Sequence, residues 1–87
     1  MEQKGWMLYI LQCGDGTLYT GITDDLPRRF AAHAEGKGAK YTRGRGPLTI
    51  VYQESCEDRS QASKREYEVK QLTRQEKMAL IKNGAEN

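Results

Sequence analysis

Soft metal ligands are scarce in this chain: two cysteines, Cys13 and Cys56, and one histidine, His33, in 87 residues. A structural or hydrolytic zinc site needs several Cys or His ligands at close motif spacing, so that chemistry is excluded. Long apolar runs are missing too. Nothing approaches the ~18 consecutive residues that cross a bilayer, and the leading MEQKGWMLYIL has an acid near its start and no small-residue cleavage site. A cytoplasmic location without membrane contact is therefore expected, with both thiols reduced. No internal repeat or low-complexity linker divides the chain. At 37% hydrophobic content it reads as one domain over 1–87, able to bury ~60 to 65% of its unfolded surface.

What is present first is a hairpin pattern. MLYILQC (7–13) and TLYTGI (17–22) are runs of strand formers, and Gly14-Asp15-Gly16 between them has the composition of a tight loop. If Cys13 pairs with Thr17, Leu11 lies opposite Tyr19 and Tyr9 opposite Gly21, which puts both tyrosines on one face. A slip of one residue would send them to opposite faces. Asp24-Asp25-Leu26-Pro27 predicts a helix start and Gly36 its end. On that helix Leu26, Phe30 and Ala34 make an expected buried stripe, with Arg29 and His33 at its edge, one turn apart.

LTIVYQ (48–53) predicts a third strand, and its continuously apolar middle suits a central position in the sheet. After an acidic turn at 54–58, a helix from near Ser60 aligns Ala62, Glu66 and Val69. Thr73-Arg74-Gln75-Glu76 has the form of a capping box opening a last helix that ends at Asn83-Gly84. The expected order is ββαβαα: an α+β fold with a small three-stranded antiparallel sheet flanked by helices.

The charge is unevenly spread. Between 28 and 46 stand Arg28, Arg29, Lys37, Lys40, Arg43 and Arg45 against the single acid Glu35, a local charge of +5 in a chain whose total is +2. Tyr41 sits among them, and the surrounding glycines let backbone approach a ligand closely. Cations with an interleaved aromatic suit a polynucleotide, which makes Lys37, Lys40, Tyr41, Arg43 and Arg45 the expected substrate-binding residues. Tyr9, Tyr19, Arg29, His33 and Glu66 would supply two phenols, a fixed cation, an imidazole and a carboxylate, a set able to hydrolyse a phosphodiester if the five converge.

In order and spacing these residues resemble the GIY-YIG nuclease superfamily, and within it the small stand-alone bacterial members, over Trp6 to Ile81. Met7-Leu8-Tyr9 stands where that family has Gly-Ile-Tyr, and Tyr19-Thr20-Gly21 where it has Tyr-Ile-Gly. Arg29 matches its arginine, His33 the residue one turn later, and Glu66 its metal-binding glutamate. Two features of larger members are not matched: a late asparagine, to which Asn83 is not assigned, and an extra domain that chooses sequence. The resemblance implies cleavage of nucleic acid, DNA before RNA, with specificity left to a partner protein.

An enzyme cutting a phosphodiester must remove on the order of 20 kcal/mol of barrier, whereas one aimed hydrogen-bond donor supplies ~3 kcal/mol. One divalent cation, Mg²⁺ or Mn²⁺, held by Glu66 and waters is therefore expected beside Arg29. Glu66 and Glu68 stand about 160° apart around a helix, and Glu66 lies on the line of Ala62 and Val69, so Glu66 is the expected ligand. Two rival functions share the scaffold. One is a nucleic-acid-binding module with little turnover; the other is a partner-binding domain using Trp6, Met78, Leu80 and Ile81.

Overall fold

The structure, a computed structural model, describes residues 5–38 and 40–85. Its first element is the expected hairpin, β1 (Trp6–Gln12) and β2 (Leu18–Thr23). Cys13 N–H donates to Thr17 O at 2.8 Å, and Gly16 closes the loop with its N–H on Cys13 O at 2.9 Å. Gly16 does so at φ +87°, a left-handed conformation that favours glycine. The resulting register sets Leu11 opposite Tyr19 and Tyr9 opposite Gly21.

β3 (Thr49–Cys56) pairs antiparallel with the other side of β1, giving the order β2-β1-β3. The expectation of a central third strand is thus corrected: β1 is central and β3 is an edge. β1 buries Leu8 and Ile10 on one face and Tyr9 and Leu11 on the other, whereas β3 exposes Thr49, Gln53 and Ser55. The continuous apolar stretch in β3 has a different cause. Its register shifts where Ile10 faces Tyr52 and Leu11 faces Ile50, so Val51 is an extra bulged residue, and Val51 and Tyr52 both pack against the Leu8–Ile10 layer. β3 also continues through Glu54 and Ser55 to Cys56. The acidic turn shrinks accordingly, because Glu54 is engaged by Tyr52 Oη at 2.5 Å and Arg65 Nε at 2.8 Å.

α1 (Leu26–Ala34) and a single 3-10 turn (Lys40–Thr42) precede β3; α2 (Arg59–Lys70) and α3 (Arg74–Ala85) follow it. Asp58 caps α2 by accepting from Gln61 N–H at 2.8 Å. The capping box of α3 forms as expected, with Thr73 N–H on Glu76 Oε1 at 2.8 Å and Glu76 N–H on Thr73 Oγ1 at 3.1 Å. Ala62 and Val69 of α2 bury themselves with Leu8, Ile10 and Cys56, and Leu80 and Ile81 of α3 pack on that layer. On the opposite face Tyr9 and Leu11 meet Leu26, with Tyr19, Phe30, Leu48 and Ile50 around them. Both thiols are buried and free, and burial pushes the Cys56 thiol up in pKa. No helix among the described residues is long and apolar enough to cross a membrane.

One polar atom is out of place in this core. Thr20 is 4% exposed and its Oγ1 has no hydrogen-bond partner. Thr20 lies opposite Ile10 in the ladder, which turns its hydroxyl toward an apolar layer. Thr20→Val keeps the shape and removes the orphan hydroxyl, so it is expected to stabilise the fold by about 1 kcal/mol. A higher denaturant midpoint at unchanged slope would show this; an unchanged or lower midpoint would mean the hydroxyl finds a partner in solution.

Candidate active site

The hairpin register alone brings the two phenols together. Tyr9 and Tyr19 have ring centroids 6.4 Å apart, and the Tyr9 ring crosses directly over Gly21. A Cβ at Gly21 would lie 2.6 Å from Tyr9 Oη and 3.1 Å from the Tyr19 ring, so glycine is required for this approach rather than for its backbone angles.

α1 supplies the cation and the imidazole. Asp25 caps it by accepting from Arg28 N–H at 3.2 Å, and Pro27 fits its first turn. The expected stripe is corrected here: Leu26 is buried, Phe30 is half-buried, Ala34 is exposed and His33 is only 2% exposed. The inward line is Leu26, Arg29 and His33. An imidazole takes this place because its edge partners are polar and complete: Tyr9 Oη lies 2.9 Å from Nε2 and Thr42 Oγ1 2.9 Å from Nδ1. Its ring also stands edge-on to Tyr9 at 5.9 Å and to Tyr19 at 5.3 Å. Arg29 is near enough to both phenols for each to bear on its protonation.

These contacts set the protonation states. Burial raises the pKa of the Tyr9 phenol above its usual value, the Arg29 guanidinium opposes this, and the Tyr19 and Glu66 charges add to it. Hydrogen bonding to Tyr9 raises Arg29 further, so the guanidinium stays charged. Burial, then the Arg29 charge, pulls His33 below its ordinary 6.5 and keeps it neutral at neutral pH. Tyr9 Oη and Thr42 Oγ1 can each donate or accept, so the neutral ring has a partner for either tautomer; with the proton on Nδ1, Nε2 is open to the phenolic proton.

Glu66 arrives from α2, which packs across β2 and β1. Its carboxylate is 25% exposed and pairs with Lys70 Nζ at 3.1 Å, and it is close enough that its charge bears on Tyr9. Glu68 faces elsewhere, 65% exposed and 3.3 Å from Arg65. Among the described residues no three His, Cys, Asp or Glu side chains cluster. One carboxylate completed by waters and phosphate oxygens is nevertheless a donor set that Mg²⁺ or Mn²⁺ accepts, and Glu66 fits it.

Clefts open on either side of the Arg29–His33 edge. One, of about 430 Å³, is lined by Thr23, Asp24, Asp25, Arg28, Arg29 and Ala32. The other, of about 470 Å³, places Phe30 and His33 opposite the glycines of the 36–47 loop. In that loop Tyr41 stacks on Tyr19 at 5.9 Å, and the Arg45 guanidinium lies 4.6 Å over the Tyr41 ring. Arg45 is also paired with Asp15 at 2.5 Å, and Lys37 with Glu35 at 3.7 Å. Lys40 and Arg43 are exposed and have no ion pair among the described residues.

Two contributors escape a sequence reading. Thr42 stands among the cations as one more loop hydroxyl, yet it holds His33. Gly38 resembles a flexible spacer, yet a Cβ there would run into the His33 ring at Nδ1. Only the fold, which lays the loop back on α1, reveals either.

Two measurements probe this arrangement. Gly38→Ala must displace the imidazole or the loop, and is expected to destabilise the protein by at least 1 to 2 kcal/mol, about the cost of overpacking; wild-type stability would show that the loop does not rest on His33. The second is pH. The unfolded chain takes up a proton at His33 more readily than the folded one, so this contribution is whole above pH 6.5 and is lost as pH falls from there. The slope approaches about 1.4 kcal/mol per pH unit. Denaturation curves between about pH 7.5 and 5.5 should show that loss, and His33→Gln, which removes the only histidine, should flatten it.

Comparison with known proteins gives the family and the fold. The model of the GIY-YIG catalytic domain matches residues 5–79. The UPF0213 protein DP2720 of Desulfotalea psychrophila is 54% identical over 82 residues, covering 93% of this chain and 74% of its own. The UPF0213 protein YhbQ of Escherichia coli is 50% identical over 80 residues, covering 92% and 80%. Two solution structures share the fold: EF2693 of E. faecalis, with TM-score 0.65 and 38% identity over 100% of this chain and 95% of that one, and the UPF0213 protein BH0048 of Bacillus halodurans, with TM-score 0.58 and 49% identity over 88% and 82%. With the family model matched over residues 5–79 and relatives of this identity and coverage, the chain belongs to the GIY-YIG nuclease superfamily.

Proposed function

We propose that the protein hydrolyses phosphodiester bonds of nucleic acid, DNA before RNA, using one divalent cation, Mg²⁺ or Mn²⁺, held by Glu66. The observation that carries this reading is the neutral His33 joined to Tyr9 at 2.9 Å, with Arg29 near both phenols. A phenol of raised pKa does not ionise by itself at neutral pH. Joined to an unprotonated imidazole, it need not. The attacking water gives its proton to the Tyr9 oxygen while the Tyr9 proton passes to His33 Nε2, so no free phenolate forms. The water oxygen bonds to phosphorus, and the bond from phosphorus to the departing oxygen breaks.

Tyr19 orients that water, and Arg29 neutralises a nonbridging phosphate oxygen. Thr42 accepts from His33 Nδ1–H, which leaves Nε2 open. Glu66 would hold the divalent cation, which would supply charge neutralisation for the phosphate when bound. The loop residues Lys37, Lys40, Tyr41, Arg43 and Arg45 hold the substrate beside the site. Sequence choice falls to a partner protein, and the work is done in the cytoplasm.

The test is nicking of supercoiled plasmid, and of a single-stranded circle, with Mn²⁺ or Mg²⁺. Tyr9→Phe removes the relay proton and is expected to slow cleavage by about 10² to 10⁴-fold, and Glu66→Gln to slow it by orders of magnitude. Glu68→Gln, bound to Arg65 instead, should stay active. Should the two glutamate variants exchange behaviour, the carboxylate is misassigned. No cleavage by wild-type protein with either ion would leave a nucleic-acid-binding module on a nuclease scaffold.

A further inference from the structure

We infer that a second basic element, the first turn of α3, continues the nucleic-acid track away from the site, with Arg74 and Lys77 binding phosphates. This rests on the reading of the site as one for nucleic acid. The two residues lie about 30 positions beyond the basic segment in sequence, and nothing in their own surroundings, an ordinary mixed-charge helix, marks them. The fold brings them to Tyr41. Thr17, Leu18, Tyr41, Arg74 and Lys77 line one groove of about 180 Å³.

Its position matters more than its size. Tyr41 stacks on Tyr19 at 5.9 Å, so the groove begins one ring from the candidate site, and it is lined by the two residues that precede Tyr19, Thr17 and Leu18. Enclosed small-molecule sites start near 300 Å³; a shallower channel suits an extended polymer backbone passing over it. Since Arg45 covers part of the Tyr41 ring, that ring serves as a wall of the channel more than as a free platform for a base.

Charge favours the same occupant. The two carboxylates nearest in sequence to the lining are already held. Glu76 accepts from Thr73 N–H at 2.8 Å in the capping box, and Asp15 accepts from Thr17 Oγ1 at 2.6 Å and pairs with Arg45. Arg74 and Lys77 have no ion pair among the described residues. Two uncompensated cations three residues apart stand one helical turn from each other, and can meet neighbouring phosphates of one strand.

The experiment compares Arg74→Ala/Lys77→Ala with Lys64→Ala/Lys82→Ala, which removes the same charge from exposed positions outside the groove. Each is titrated by fluorescence anisotropy, without divalent ions, against a duplex of about 30 base pairs and a single strand of equal length over a range of salt. The groove variant is expected to lower the slope of log K against log salt by up to about 1.8 on duplex, near 0.9 for each phosphate no longer neutralised, with affinity falling about tenfold or more at low salt. The control pair should change neither. Equal losses in both variants would show a general charge effect and overturn the groove, as would no loss in either while wild-type protein binds and cuts. A loss confined to the groove variant in a protein that cuts nothing would uphold the groove and remove the hydrolytic reading. Failure of wild-type protein to bind either probe would end both.

Discussion

The hydrogen bond between Tyr9 and His33, 2.9 Å long and buried, is the constraint on which the rest turns. It ties the central strand to the first helix across 24 positions of sequence, and it is made by two groups that would each be costly to bury alone. An unpartnered buried hydroxyl or imidazole costs roughly 1 to 3 kcal/mol. Joined, each satisfies the other, and Thr42 satisfies the remaining ring nitrogen. The same burial gives the pair its chemistry. It holds the imidazole unprotonated and the phenol un-ionised, so a proton can move along the pair without a separated charge being formed first. Removing either partner would break this bond between strand and helix and would end the coupling, which is why stability and function share this one contact.

Two close approaches make that contact sterically feasible, and they differ in how far sequence reveals them. Gly21 leaves room for the Tyr9 ring, and the hairpin pattern offers this register: once Cys13 pairs with Thr17, as it does, every later pair follows by counting. Gly38 leaves room for His33, but no local periodicity says which side of α1 the loop will cover. Period-based reading also fails for His33 itself. A four-residue spacing of Leu26, Phe30 and Ala34 offers an apolar stripe, yet the surface facing α1 is not uniformly apolar, because it presents a phenol and a threonine. The helix rotates to match what it meets, and Ala34 goes to solvent. β3 misleads for a related reason. Its bulge at Val51 puts neighbouring apolar residues on one face, which in sequence has the signature of a strand buried on both sides.

Capping and turn chemistry are legible because they are local. Asp25, Asp58 and the Thr73–Glu76 box each satisfy backbone donors within three residues, and Asp25 and the box stand where the sequence predicts a helix start. Site assembly is legible only in part, since Tyr9, Tyr19, Arg29 and His33 come into contact through one hairpin and one short connection, whereas Glu66 depends on where α2 lands across β2 and β1. The choice between Glu66 and Glu68 rests on helix geometry in sequence. In the structure both carboxylates pair with a cation, Glu66 with Lys70 and Glu68 with Arg65, but Glu66 is the less exposed and its charge bears on Tyr9.

The basic loop is the place where a charge count and a structure differ most. By sequence its segment carries +5, a count in which Glu35 already offsets Lys37, but Arg45 is also tied to Asp15 from outside the segment, so its field is weaker than the count suggests. Exposed pairs of this kind are weak, and a phosphate can displace either carboxylate. Asp15 yields less readily than Glu35. Thr17 and then Arg45 hold its carboxyl below the usual range, and Gly14 N–H on Arg45 O at 2.6 Å pins the same loop through its backbone. Arg45 is thereby fixed over Tyr41, and Tyr41 on Tyr19. A cation that is positioned in this way contributes geometry where Lys40 and Arg43 contribute charge. The loop can therefore hold the Tyr19 side of the site in place before any substrate arrives, and the ordering of those side chains is a cost met on folding instead of on binding.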